Sequence, residues 1–312
     1  MKKVIAFIDY IFLLRPSIQA ALWTFLFAGS YLYLKNAEPA SPFCYGVTSK
    51  MALALLGYSL VMGSVYVLNQ IRDIDTDRIN KKLFLLSERI IPLKRAYIFA
   101  LVCAATGFSV FLFFGKFNIN TVLLIVVSFI MGLLYTIKPF EFKRRCCLDM
   151  ILNSLGYGMV APLIGYEAAG GALNSAALIA TFPYVFSMAA VFINTTLMDY
   201  EGDKAVGAKT TGVVLGFKKS MILSTILMLC SAVLGLILKD YIVSACAFYS
   251  SVFFAYALLK QKKRILDLSV KLTSPVMTLA FGILFPLFLV LSAFVLLSIF
   301  FYYRYRFNLK VV

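Results

Sequence analysis

Runs of apolar residues, each near the length a helix needs to cross a bilayer, recur nine times along the chain, at 17–34, 51–68, 96–114, 119–137, 151–166, 176–197, 221–238, 241–259 and 274–303. About 20 helical residues span the ~30 Å hydrocarbon layer of a membrane. Inside that layer a backbone must satisfy its own hydrogen bonds, which only helices and closed barrels achieve. The period-2 alternation of a barrel strand is missing from these runs, so they predict helices. Composition agrees: 62% of the 312 residues are hydrophobic and 14% charged, against ~45–50% and ~25% in soluble domains.

The same runs change the meaning of the charge. Thirty Lys and Arg against 14 Asp and Glu leave a net +16, which in a soluble chain would suggest nucleic acid. Here the bases lie between apolar runs. With the N-terminus placed in the cytoplasm, 23 of the 30 fall in alternate connections on that side. The other side holds seven: Lys35, Lys50, Lys116, Lys239, Arg304, Arg306 and Lys310. A Lys/Arg bias of this size is a topology signal. It predicts a cytoplasmic N-terminus, an outer C-terminus and no nucleic-acid partner. The Met1-Lys2-Lys3 start carries no small-residue cleavage pattern, so the first helix is expected to be retained.

No soluble domain is visible, and residues 1–312 are expected to form one membrane domain, with acidic loops at about 69–95 and 199–219 on the cytoplasmic side. The chain has no His, which excludes His-based proton transfer and His-ligated haem or zinc. Its six Cys show no CxxC spacing and are expected to be small buried hydrophobes. Chemistry must rest on carboxylates, amides, hydroxyls, Lys and Arg.

Six of the 14 acids lie in two short clusters, one holding Asp73, Asp75 and Asp77, the other Asp199, Glu201 and Asp203. Each follows the end of an apolar run, the second and the sixth, so both share one membrane face. Asn69, Asp73 and Asp77 are spaced i, i+4, i+8, and Asp199 and Asp203 repeat the i, i+4 step. On a continuous helix such residues stack in one stripe, while Asp75 and Glu201 point away. Gly202 makes the second stripe the easier one to break. Facing carboxylate stripes repel unless a cation lies between them. Oxygen donors select hard ions, and Mg²⁺ usually takes one or two carboxylates plus substrate phosphates and waters. Nearby bases, among them Arg72, Arg78, Lys81, Lys82, Lys138, Lys143, Arg144 and Lys204, suit the remaining phosphate charge. The pattern suggests a Mg²⁺-bridged diphosphate at a membrane surface.

At these residues the sequence resembles the UbiA-type intramembrane prenyltransferases. Their first signature, Asn-x-x-x-Asp-x-x-x-Asp, is matched by Asn69, Asp73 and Asp77, and their second, Asp-x-x-x-Asp, by Asp199 and Asp203. The likeness continues through Lys204, Gly207 and Thr210 to Leu215-Gly216, and includes Arg15-Pro16, Asn80-Lys81 and the segment 135–144. It implies an all-α bundle of nine transmembrane helices around a central cavity. The implied activity is transfer of a prenyl group from a polyprenyl diphosphate to a lipophilic acceptor, an aromatic quinone-precursor ring or a related one, in quinone and isoprenoid lipid biosynthesis in a prokaryotic cell membrane. By the family pattern Asn69, Asp73, Asp77, Asp199 and Asp203 hold two Mg²⁺ ions, with the four Asp as catalytic residues. Arg72, Lys81, Lys143 and Lys204 are expected at the diphosphate, and Arg15, Tyr135 and Asn153 at the acceptor.

The chain also departs from the pattern. Leu83-Phe84-Leu85-Leu86 stands where many members carry Arg-Pro, Glu88 replaces a Gly, and Gln70 replaces a frequent Asp. Two other acceptor types stay open, a glycerol phosphate-type lipid and a chlorophyllide-like ester. From a different class, a transporter has a similar composition, but transporters place ionisable residues near the bilayer midplane, and here the helix centres are nearly free of acids and the two acidic clusters lie at one surface. Pro183 and Pro286 are expected to kink the sixth and ninth helices.

Overall fold

The structure is a computed structural model that describes residues 2–37, 44–79 and 83–309. Asn80 and Lys81 lie outside the described residues. The chain runs through α1 (Lys2–Leu13), α2 (Pro16–Ala37), α3 (Ser49–Arg72), the short α4 (Ile74–Ile79) and α5 (Phe84–Ser87), then α6 (Leu93–Phe114), α7 (Ile119–Thr136), α8 (Leu148–Ala168) and α9 (Ser175–Met198). A short α10 (Tyr200–Ala205) precedes α11 (Thr211–Ile237), α12 (Tyr241–Lys260), α13 (Lys263–Leu284) and α14 (Pro286–Phe307). Among the described residues nine helices are long and apolar enough to cross a membrane alone, and α1 and α2, bent by 49°, meet the same test together.

Local chemistry sets the helix limits. Thr48 caps α3 by accepting from the Met51 amide at 3.2 Å, and Asp240 caps α12 by accepting from the Val243 amide. The bend between α1 and α2 sits at Arg15, whose positive φ of 57° precedes Pro16, a residue suited to the first turn of a helix. Helices α2 and α8 touch backbone to backbone. A Cβ at Gly29 would meet the Pro162 carbonyl oxygen, and one at Gly165 the Leu26 carbonyl oxygen. Ser30 uses this closeness to donate to the Gly165 carbonyl at 3.0 Å, a contact typical of small residues between membrane helices.

Two sequence expectations change. The last apolar run is not one kinked helix: Phe285 is non-helical and Pro286 starts a new helix, so α13 and α14 are each 22 residues long. The physical cause is the missing amide of proline, which ends one hydrogen-bond ladder and opens the next. The fold back reverses the fate of the C-terminal segment. Arg306 pairs with Asp9 of α1 at 3.1 Å, so the end of α14 lies on the face where the chain starts, and the expected outer C-terminus is overturned. Arg304 and Arg306 therefore join the basic face, and the charge asymmetry grows. Pro183 sits in the first turn after a hitch at Thr181 inside α9.

Candidate active site

The acidic clusters are built by the same backbone device. Helix α3 ends at Arg72, and Asp73 caps it with φ −99° and ψ 7°; helix α9 ends at Met198, and Asp199 caps it with φ −94° and ψ 7°. A six-residue helix then follows each cap. The i to i+4 hydrogen bonds run through the breaks: Asp73 N donates to Asn69 O at 3.0 Å, Asp77 N to Asp73 O at 2.7 Å and Asp203 N to Asp199 O at 2.9 Å. The stripes thus survive the helix ends, and Gly202 remains helical in α10.

Asn69, Asp73, Asp77, Asp199 and Asp203 all line one cavity of about 970 Å³. Lys143 and Arg144 complete its polar end. Lys143 Nζ donates to Asn69 Oδ1 at 2.9 Å and to Asp73 Oδ1 at 2.5 Å, which places a cation against the first stripe. In the second stripe Thr210 Oγ1 donates to Asp203 Oδ2 at 3.3 Å. Burial first and the neighbouring Asp199 charge second hold the Asp203 carboxyl above its ordinary range. This strain is relieved by positive charge.

Backbone pairing joins the basic segment to the second acidic one. Lys209 N donates to Arg144 O at 3.1 Å, and Arg145 and Lys209 form an isolated parallel bridge. Beneath it the fully buried Asp149 accepts from the Thr211 amide at 2.8 Å and from the Thr211 hydroxyl. Asp149 is thereby satisfied at the root of α11.

Away from the carboxylates the wall becomes aromatic and sulfur-rich, with Tyr58, Met62, Tyr66, Met131, Tyr135, Tyr157 and Phe192. Tyr66 and Tyr157 share a hydroxyl hydrogen bond of 2.7 Å. Tyr157 sits on a widened π turn at Gly156–Val160 within α8, a distortion often found beside functional sites. Tyr135, Asn153 and Arg15 line the same wall, and Asn153 Nδ2 donates to Asp149 O at 3.1 Å.

Of the other expected bases, Lys81 lies outside the described residues and two lie away from the cavity. Arg72 is outside the cavity wall and pairs with Glu141 at 3.9 Å. Lys204 is exposed and stands 5.7 Å over the Tyr200 ring. Wall residues without a sequence assignment at the site include Tyr58, Tyr66, Tyr157, Lys263 and Tyr303. Arg144 adjoins Lys143, so its neighbour was a usable signal; Lys263 and Tyr303 are far from both clusters in sequence and had none.

The donor set was tested against a divalent ion. No three His, Cys, Asp or Glu among the described residues converge tightly enough to hold a metal by themselves. The five oxygen donors on one cavity wall are of the type Mg²⁺ takes, one or two carboxylates at a time with the remaining positions left to water and phosphate. The ammonium of Lys143, caught between Asn69 and Asp73, marks where positive charge is favoured.

The model of the UbiA prenyltransferase family matches residues 21–272. The chloroplastic 2-acylphloroglucinol 4-prenyltransferase of Humulus lupulus is 29% identical over 205 residues, covering 61% of this chain and 46% of that protein. Digeranylgeranylglyceryl phosphate synthase of Sulfolobus acidocaldarius is 30% identical over 179 residues, covering 56% of this chain and 61% of that one. This chain spans about half the length of the plant relatives it matches. A UbiA homolog from Archaeoglobus fulgidus, solved bound to GPP and Mg²⁺, superposes with a TM-score of 0.67 at 19% identity over 88% of this chain and 99% of that one. At that identity the likeness is one of fold. A family match over most of the chain, on a helical bundle whose two acidic segments meet at one cavity, means that the chain belongs to the UbiA prenyltransferase family.

Proposed function

We propose that this chain catalyses Mg²⁺-dependent transfer of a prenyl group from a polyprenyl diphosphate to a lipophilic acceptor bearing an aromatic ring. One observation carries the reading: five oxygen-bearing side chains and two cations close the polar end of a cavity whose remaining wall is aromatic and apolar. Asn69, Asp73, Asp77, Asp199 and Asp203 would hold two Mg²⁺ ions, and Lys143 and Arg144 would take diphosphate oxygens. When bound, Mg²⁺ supplies Lewis-acid stabilisation of the charge that develops on the departing diphosphate.

The chain's own residues do the rest. Lys143 and Arg144 add fixed positive charge where the leaving group builds negative charge. As the allylic carbon–oxygen bond breaks, the diphosphate keeps the electron pair and the prenyl fragment becomes cationic. Tyr58, Tyr66, Tyr157 and Phe192 keep water from that cation and turn aromatic faces toward it. An acceptor ring carbon then forms the new bond to the cationic prenyl carbon, and the ring proton passes to water or a nearby base. Tyr135, Asn153 and the Tyr66–Tyr157 pair offer hydroxyl and amide groups for the oxygens of a ring acceptor. Arg15 stands at the same wall.

Two relatives are named for different acceptors, one an acylphloroglucinol and one a glyceryl phosphate. The test supplies both types. Purified protein in lipid vesicles, given Mg²⁺ and prenyl diphosphates of graded length with quinone-precursor rings, chlorophyllide or glycerol phosphates, should yield a prenylated ring by mass spectrometry. A product with glycerol phosphate alone replaces the ring acceptor; substrate uptake with no product refutes the prenyl-transfer reading.

A further inference from the structure

Helix α14 lies past residue 272, where the family match ends, yet its far end comes to the site. Three sets of contacts link it to the first acidic segment. Asp9 of α1, only 4% exposed, accepts from Tyr302 Oη at 2.6 Å and from Arg306 Nε and Nη2 at 3.1 and 3.2 Å. Phe12 stacks on Tyr302 with ring centroids 3.6 Å apart. The carboxylate is thus held at both oxygens, the geometry that makes an Arg pair strong and directional.

From this clamp the contacts continue outward. Phe307 meets Phe84 at 5.1 Å between centroids, and Tyr302 shares one apolar cluster with Leu85, Leu86 and Ile91. Just after Leu86, the Ser87 carbonyl accepts from Arg78 Nε at 3.1 Å and Nη2 at 2.9 Å. Arg78 follows Asp77 directly on α4, and Asp77 lines the cavity, as do Leu83, Phe84 and Tyr303.

We propose that α14 is a buttress for the first acidic segment: the clamp of Asp9, Tyr302 and Arg306 seats the helix end against α5, and α5 holds α4, with Asp77, in place through Arg78. Asp9, Tyr302 and Arg306 are positioning residues. They touch none of the reacting groups, and their effect is on where Asp77 stands. Only the metal arm of the test rests on the proposed function. Small displacements at a reacting centre have large effects on rate, and a buried carboxylate that loses its cation destabilises its surroundings.

The test compares wild type, Arg306→Gln and the double variant Asp9→Asn/Arg306→Gln in detergent. In Arg306→Gln, amide exchange in peptides covering 74–79 and 83–91 should rise by about fivefold or more, with the midplane of the bundle unchanged. Without substrate, the Mg²⁺ concentration giving half-maximal thermal stabilisation should rise about five- to tenfold, since a metal that binds only the ordered site stabilises by mass action. In the double variant, which leaves no buried charge unpaired but still lacks the ion pair, both values should stay raised by at least about threefold; a return to wild type would assign the Arg306→Gln effect to the unpaired Asp9 charge and overturn the buttress. Tyr302→Phe, which removes a single hydroxyl, should show the same pattern at smaller size and serves if Arg306→Gln fails to fold. Unchanged exchange in those peptides overturns the buttress, and so does raised exchange with an unmoved Mg²⁺ midpoint. A wild type that shows no Mg²⁺ response removes the proposed function instead, and the exchange arm still decides the buttress.

Discussion

The two acidic segments share a backbone design and differ in what surrounds it. In both, an Asp caps a membrane helix, a six-residue helix follows, and an i to i+4 hydrogen bond keeps the next Asp on the same stripe. The first stripe already meets a cation, because Lys143 bonds both Asn69 and Asp73. In the second, burial and Asp199 push the Asp203 carboxyl toward its protonated form, and a Thr210 hydroxyl offsets part of this. Each stripe thus meets a base from the chain, through direct hydrogen bonds from Lys143 in the first and through the charge of Arg144 acting on Asp203 in the second. Two like stripes in one cavity need such compensation, since facing like charges repel.

The largest expected effect removes what the segments have in common. Asp73→Ala and Asp199→Ala should each lower transfer by at least about 10²–10³-fold, the scale for loss of a group that stabilises transition-state charge. Thermal unfolding should stay close to wild type, and full activity in either variant breaks the shared-site reading. Removing divalent ions with EDTA should abolish transfer, and added Mg²⁺ should restore it; persistent activity in EDTA excludes the metal.

Smaller changes separate the two sides. Lys143→Met should reduce kcat/KM for the prenyl diphosphate by about 10–100-fold, near 1.4–2.7 kcal/mol, the range of a charge-assisted contact. Lys143→Arg should recover part of the loss. Thr210→Val should cost about two- to fivefold, because one 3.3 Å neutral hydrogen bond is lost. It should also raise the Mg²⁺ requirement more than it changes kcat. Equal losses in Lys143→Met and Thr210→Val would erase the proposed asymmetry. Lys204→Ala should alter transfer by less than about twofold, since an exposed ammonium over an aromatic ring contributes little; a large loss would return Lys204 to the diphosphate.

How much of this was legible in sequence follows from the range of each signal. The apolar runs announced nearly every helix, because burial in lipid acts residue by residue. The acidic spacing foretold which side chains share a stripe, because i, i+4 geometry is local to one helix. Lys143 was legible as a base close to the clusters, whereas the separation of Lys143 from Arg72 and Lys204 depended on packing within the bundle. The Leu83–Leu86 stretch stood out as a departure from the family pattern. Its packing against Tyr302 and Phe307, more than two hundred positions away, is visible only in the folded chain.

By itself the sequence determined a helical membrane bundle, a one-sided basic surface and two matched acidic stripes without His. Hydropathy and periodicity act over one or two helical turns and survive without knowledge of neighbours. Tertiary structure alone decided that the stripes open into one cavity, that tyrosines wall it, and that α14 turns back to close a pair between Asp9 and Arg306. Those outcomes depend on which helix faces pack together, a property of the whole bundle that no single segment encodes.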